Sequence, residues 1–172
     1  MLWDCHVNHV ISKLSCIVGL VNRNRSVMPI SVRLLIYNSL FYSYLSYCHL
    51  VWGTTTPTNL GKILLLQKQI IRIIFNAPYD SHTADLFTRF AIITAHNLYN
   101  YRLSVSFKNE EKRNSRFLAE LSALTENIQA YPTRHTEYWK MIPHRTNYGK
   151  QMLKHTLPFL LNSLTSNDLD LS

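Results

Sequence analysis

Glycine, cysteine and acidic side chains are all scarce in this chain. Four Gly and six Pro among 172 residues exclude a collagen-like or linker-like composition. Three Cys are too few, and odd in number, for a disulfide framework. Charged residues make up only 16% of the chain against 47% hydrophobic, which excludes a disordered tail, since such tails lack the apolar residues a core needs. The acids are also outnumbered: 10 Asp+Glu stand against 18 Lys+Arg, a formal net charge of +8. The length suits one ordinary domain, or one and a half. The opening residues show no basic stretch followed by an apolar run, so no signal peptide is expected and the chain reads as intracellular.

Charge is missing altogether from residues 34–61, which invites a membrane-spanning reading. Asn38, Ser39, Ser43, Ser46 and His49 interrupt the run, however, and the three serines recur at helical spacing. A buried core helix is therefore expected rather than a span of about 20 apolar residues.

What is present is helical periodicity. Trp3, Val7, Val10, Leu14, Ile17, Val18 and Val21 step by three and four, which predicts an amphipathic helix over 3–21. Pro29 suits the start of a second helix over 31–51, with Leu34, Tyr37, Phe41, Leu45, Cys48 and Trp52 as its stripe. A third is predicted over 59–75, with Leu60, Ile63, Leu66, Ile70, Ile73 and Ile74 inside. Lys62, Lys68 and Arg72, with Gln67 and Gln69 between them, project elsewhere. Shorter helices are predicted over 84–90, 92–107 and 117–128, with the charged stretch 108–116 as a solvated turn. Beyond Tyr131 no period is visible, and extended loop, short strands or a hairpin are all open. The expected fold class is mainly α, in three parts: a helical bundle over 1–78, shorter helices over 79–130, and an irregular basic segment over 131–172.

Catalytic constellations are absent from the sequence. The acids are scattered; Glu110 and Glu111 read as solvated, and so do Asp168 and Asp170 near the end. Cys5, His6 and His9 lack the paired spacings and fourth ligand of a zinc site. No nucleophile elbow, phosphate-binding loop or dinucleotide fingerprint occurs. What remains is positive charge. Lys13, Arg23 and Arg25 lie around the end of the first helix, and Lys62, Lys68 and Arg72 on the third. Arg134, Lys140, Arg145, Lys150 and Lys154 are interleaved with Tyr131, Tyr138, Trp139 and Tyr148. Lys and Arg neutralise phosphates and aromatic rings stack on unpaired bases, so the mixture is compatible with nucleic-acid binding.

Several runs gain meaning from their order. Lys13-Leu14-Ser15 and Val18-Gly19-Leu20 are followed by Pro29, Tyr37-Asn38-Ser39-Leu40, Tyr44-Leu45-Ser46-Tyr47-Cys48 and Val51-Trp52-Gly53. Leu66-Gln67-Lys68, Ile71-Arg72-Ile73-Ile74, Thr133-Arg134, Arg145-Thr146-Asn147-Tyr148-Gly149 and Leu157-Pro158 come next. In that order and spacing the chain resembles the C-terminal part of non-LTR retrotransposon reverse transcriptases, closest to the jockey-like elements of arthropods. The resemblance covers nearly the whole chain. It departs from the family pattern at Cys16, where a basic residue is usual, at Asn24, where an apolar one is, and at Ser43, where a proline is. Loss of that proline should straighten the second helix, and such drift fits a decayed or partial copy.

The resemblance implies that the first part is a thumb-like helical bundle gripping a template–primer duplex of RNA and DNA through its phosphates, without reading sequence. It implies Lys13, Arg23, Arg25, Lys68 and Arg72 as the backbone-contacting residues. Tyr47, Cys48, Trp52 and Gly53 read as core and helix end, with Cys48 a small buried hydrophobe. The family's palm carries its catalytic aspartates in a Phe/Tyr-x-Asp-Asp motif, which this chain lacks. A polymerase fragment beginning after its own active site is therefore expected, with no catalytic residue and no cofactor of its own. The missing palm and fingers would be its partners, and a divalent metal such as magnesium would serve the parent enzyme. The parent family works in cytoplasmic ribonucleoprotein and nucleus. Two alternatives stand beside this: a truncated relic with no autonomous activity, and a helical protein associated with a membrane or a partner helix.

Overall fold

The structure is a computed structural model and describes residues 3–128 and 137–169. The mainly α expectation holds throughout. Helix α1 (Asp4–Arg23) buries Val7, Val10, Leu14, Ile17, Val18 and Val21, the predicted stripe. Asp4 in its first turn and Arg23 in its last complement the helix dipole. Asn24 closes the helix by donating from Nδ2 to the Leu20 carbonyl at 2.9 Å.

The second segment departs from the single helix predicted over 31–51. Pro29 caps α2 (Ile30–Ile36), a π turn follows over Tyr37–Phe41, and α3 runs over Tyr42–Ser46. The serines explain the irregularity. Ser39 Oγ donates to the Leu35 carbonyl, and Ser43 Oγ to the carbonyls of Ser39 and Leu40, at 2.7, 2.6 and 3.0 Å. Such bonds compete with the backbone ladder. Tyr37 and Phe41, four apart, both face the core as the stripe predicts, stacked 5.3 Å apart. Losing the family's proline at Ser43 does not leave a straight helix.

The helix then stops. Tyr47 is extended and Cys48 is left-handed at φ 48° before α4 (His49–Trp52). This break corrects two expectations: Cys48 is exposed rather than buried, and Tyr47 is 69% exposed rather than core. Trp52 is core as expected, and its Nε1 donates to the Tyr47 carbonyl at 2.8 Å. A Cβ on Gly53 would stand 2.5 Å from the His49 carbonyl oxygen and 2.8 Å from the His49 ring, so only glycine fits.

Helix α5 (Pro57–Ile74) begins with Thr56 as cap and Pro57 at its first position. It lies along α1. Asn59 Nδ2 donates to Asp4 Oδ1 at 2.8 Å near the two helix starts, while Asn22 and Arg25 share a cavity with Gln69 and Arg72 near the two ends. The two helices therefore run parallel. Gln67, placed by its neighbours on the polar face, is instead fully buried; it falls in the Ile63–Ile70–Ile74 stripe, four residues after Ile63. Its Nε2 donates to Tyr37 Oη at 2.9 Å and to the Ile93 carbonyl at 2.8 Å, and its Oε1 accepts the Ala95 N–H at 2.8 Å.

Burial, partly offset by the Gln67 amide, pushes the Tyr37 phenol up to about 12 from 10. An unfolded chain ionises this tyrosine near 10 while the folded one keeps it neutral. Its contribution is therefore complete below pH 10 and is lost as pH rises towards 12. That loss is worth about 2–3 kcal/mol. Urea midpoints measured from pH 9 to 12 should fall more steeply for the native chain than for Tyr37→Phe, which keeps the ring stack but has no proton to lose.

After α6 (Ala84–Arg89), helix α7 runs over Ala95–Lys112. It starts later than predicted, where Gln67 receives the Ala95 N–H, and carries the charged residues 108–112 that read as a solvated turn. Glu110 is not merely solvated: its carboxylate accepts the Leu118 N–H, with Oε2 at 2.9 Å. The fold divides into two compact units between Tyr99 and Asn100, within α7. The core of the first unit joins α1, the α2–α4 segment, α5, α6 and the start of α7.

In the second unit α8 (Phe117–Ser122) ends at Ala123, left-handed at φ 50°, and so is shorter than the helix predicted over 117–128. Glu126 and Trp139 then form one antiparallel bridge, flanked by Asn127 N–H to the Tyr138 carbonyl and Lys140 N–H to the Thr125 carbonyl. The short helix α9 (Asn147–Gln151) is capped by Thr146, and α10 (Leu153–Leu169) has no counterpart among the predicted helices. Pro158 lies inside it, where a proline argues against a helix because it cannot donate to the backbone ladder. Asn162 on α10 mimics a strand partner for Trp139: its Oδ1 accepts the Trp139 N–H and its Nδ2 donates to the Trp139 carbonyl, both at 2.9 Å. Tyr131, Thr133, Arg134 and Asp170 lie outside the described residues.

Candidate nucleic-acid interface

The implied phosphate-contacting residues fall into three situations. Lys13 stands exposed on α1, about 15 Å along the helix axis from Arg23 at 1.5 Å per residue. Arg23 is exposed in the last turn, with its Nε donating to the Gly19 carbonyl at 3.3 Å. Arg25 is exposed just beyond the helix. Lys68 and Arg72 are half-buried, one turn apart on α5.

The parallel course of α1 and α5 brings the ends of both helices together. Arg25 and Arg72 line one cavity of about 210 Å³, with Tyr79 on its wall. Arg72 is already committed locally. Its Nε and Nη2 both donate to the Ser81 carbonyl at 3.1 and 3.0 Å, and its guanidinium carbon lies 5.9 Å from the centre of the Tyr79 ring. This fork holds the turn after α5 in place. Arg25, by contrast, projects from a short polar loop.

A residue absent from the expected set completes this end of the first unit. Arg33, on α2, is only 3% exposed. Its Nη1 donates to the Ile73 carbonyl at 2.7 Å and to Asn76 Oδ1 at 2.8 Å. It thereby caps the C-terminus of α5, where the carbonyls carry partial negative charge. Asn76 holds φ 52°, a left-handed conformation asparagine tolerates. A basic residue opening an apolar helix was the only sequence signal for Arg33. Its partners lie 40 and 43 residues away.

The other residues weighed for chemistry have structural surroundings. His6 packs between Trp3 and Trp52, with ring centroids 6.4 and 5.6 Å away. Cys5, Cys16 and Cys48 are exposed thiols. Among the described residues no three of His, Cys, Asp and Glu converge as a metal site would require. No helix of the described residues is long and apolar enough to cross a membrane. Several apolar side chains of residues 27–51 are exposed, Val27, Leu35 and Val51 among them.

The chain matches no family model, no curated protein and no solved structure.

Proposed function

We propose that this chain is the thumb and post-thumb region of a non-LTR retrotransposon reverse transcriptase, and that it binds a template–primer duplex through phosphates. Catalysis belongs to a palm that this chain lacks, so the chain is not itself an enzyme. The observation that carries the reading is the parallel pairing of α1 and α5. It sets Arg25, just beyond α1, beside Arg72 at the end of α5. Exposed cations at the end of α1 beside half-buried ones on α5 suit a grip on a charged backbone, which requires positioning and no base contacts. The collinear runs quoted from the sequence supply the family. Lys13, Arg23, Arg25 and Lys68 are the candidate contacts; Arg72 contributes through the turn it fixes as much as through its charge.

The test is the salt dependence of binding to an RNA–DNA duplex. On duplex DNA log K falls by about 0.9 per phosphate contacted for each decade of salt. Four contacts would therefore weaken binding roughly 100-fold between about 50 and 200 mM salt. A slope near zero overturns the reading.

One observation favours the relic alternative. The segment that would face the palm in a whole polymerase leaves Leu35, Tyr47 and Val51 exposed, and apolar surface left bare favours self-association. A relic without autonomous activity would show no salt-dependent binding in the same titration.

A further inference from the structure

The cavity between the loop after α1 and the end of α5 has a composition of its own. It measures about 470 Å³ and is lined by Arg25, Ser26, Met28, Arg33, Asn76 and Ala77, with no acidic side chain among them. Arg33 forms its inner wall. A guanidinium stays protonated at any ordinary pH, and burying it without a counter-ion is costly. Its two hydrogen bonds both leave Nη1, and both go to neutral oxygens. Its buried Nε–H has no acceptor.

The helix ends do not neutralise this site. Each helix C-terminus contributes about half an elementary negative charge. Two such ends offset roughly one of the two positive charges brought by Arg33 and Arg25. The cavity keeps a net positive charge of about one, with a fixed guanidinium behind it and a free one at its mouth. Ser26 adds a hydroxyl donor. Phosphate oxyanions suit such a site, because their oxygens accept from guanidinium groups at charge-assisted strength.

We infer that the Arg25–Arg33 cavity is a preformed seat for a phosphate oxyanion, filled by one backbone phosphate of the bound nucleic acid. The inference rests on the proposed duplex-binding role for its ligand. It adds a named cavity, and it adds Arg33, a residue the family resemblance does not supply. Arg33 is the positioning charge, and Arg25 is the arm that closes on the phosphate.

The test uses the full chain and two readouts. Inorganic phosphate is the probe for the seat, compared with chloride at equal ionic strength. The native chain should gain several degrees in Tm once phosphate exceeds its Kd about tenfold. Arg25→Gln should lose that gain while keeping the same Tm in chloride, because Arg25 is exposed. In the duplex titration Arg25→Gln should reduce the salt slope by about one. Arg33→Lys keeps the charge but loses the fork, and should weaken the phosphate gain without abolishing it. No phosphate gain in the native chain overturns the seat. A gain lost in Arg25→Gln with an unchanged salt slope overturns the duplex as its ligand. A native chain that gains Tm from phosphate but does not bind duplex defeats the proposed function and leaves the seat standing for free phosphate.

Discussion

Replacing Gln67 by methionine is expected to destabilise the first unit by about 3–5 kcal/mol. The side chain is fully buried and touches three separate elements: Tyr37 in the π turn, the Ile93 carbonyl before α7, and the Ala95 N–H in the first turn of α7. Methionine has nearly the same length and volume, so little cavity forms. What is lost is partners. A buried donor or acceptor left unsatisfied costs about 1–3 kcal/mol, and the Ala95 N–H belongs to a residue that is itself buried. Urea unfolding should show the midpoint fall with little change in slope, the mark of a stability change rather than a change in exposed surface. Exchange of the Ala95 amide should rise in parallel. A loss below about 1 kcal/mol would mean that the network is dispensable and that apolar packing alone positions α7.

The regular elements were legible because their period was regular. In α1 every buried position is an aliphatic residue, each after Val7 lying three or four positions beyond another, as the predicted stripe has them. Helix α5 was legible in its extent to within two residues, starting at Pro57 with Thr56 as cap rather than at Asn59. Its polar member was not. Gln67 lies between Leu66 and Lys68, and the sequence gives no sign that a glutamine there would bond to three distant elements rather than face solvent. The same limit hid Arg33. Its place in the molecule is fixed by Ile73 and Asn76, both far along the chain.

The second segment failed for a different reason. A continuous apolar and aromatic run carries almost no phase information, since every frame through it looks buried. Tyr37, Phe41 and Leu45 are buried as the stripe predicts, but the left-handed Cys48 ended the helix a turn early. Tyr47 and Cys48 were thereby turned out into solvent. Helix α10 was missed through Pro158 and a mixture of polar residues, although Leu157 and Leu160 are both buried. The basic residues are the weakest part of a sequence reading. Charge alone did not separate Arg72, forked onto the Ser81 carbonyl, from Arg25, which is free to reach a ligand.

Trp52→Ala is expected to cost the first unit about 3–5 kcal/mol, the range for truncating a large buried aromatic side chain. Trp52 is the largest of the fully buried side chains. Its ring meets the His49 ring edge-on at 4.5 Å and the His6 ring of α1 at 5.6 Å. Its Nε1 ties α4 back across the break at Cys48. Trp52→Phe should cost less, because it keeps most of the apolar area and loses chiefly the bond to the Tyr47 carbonyl, worth about 1 kcal/mol. Measured by urea unfolding, the pair also separates two pictures of the chain. A domain with its own cooperative core shows both losses in that order, since a domain of this size holds only about 5–15 kcal/mol in total. A stranded fragment whose core is completed only by missing parts would unfold without cooperativity and respond to neither substitution. The proposed salt-dependent grip on a duplex requires the first picture. The cations at the ends of α1 and α5 stay together only while the core between those helices holds, so Trp52→Ala should weaken duplex binding although Trp52 itself is buried away from any phosphate.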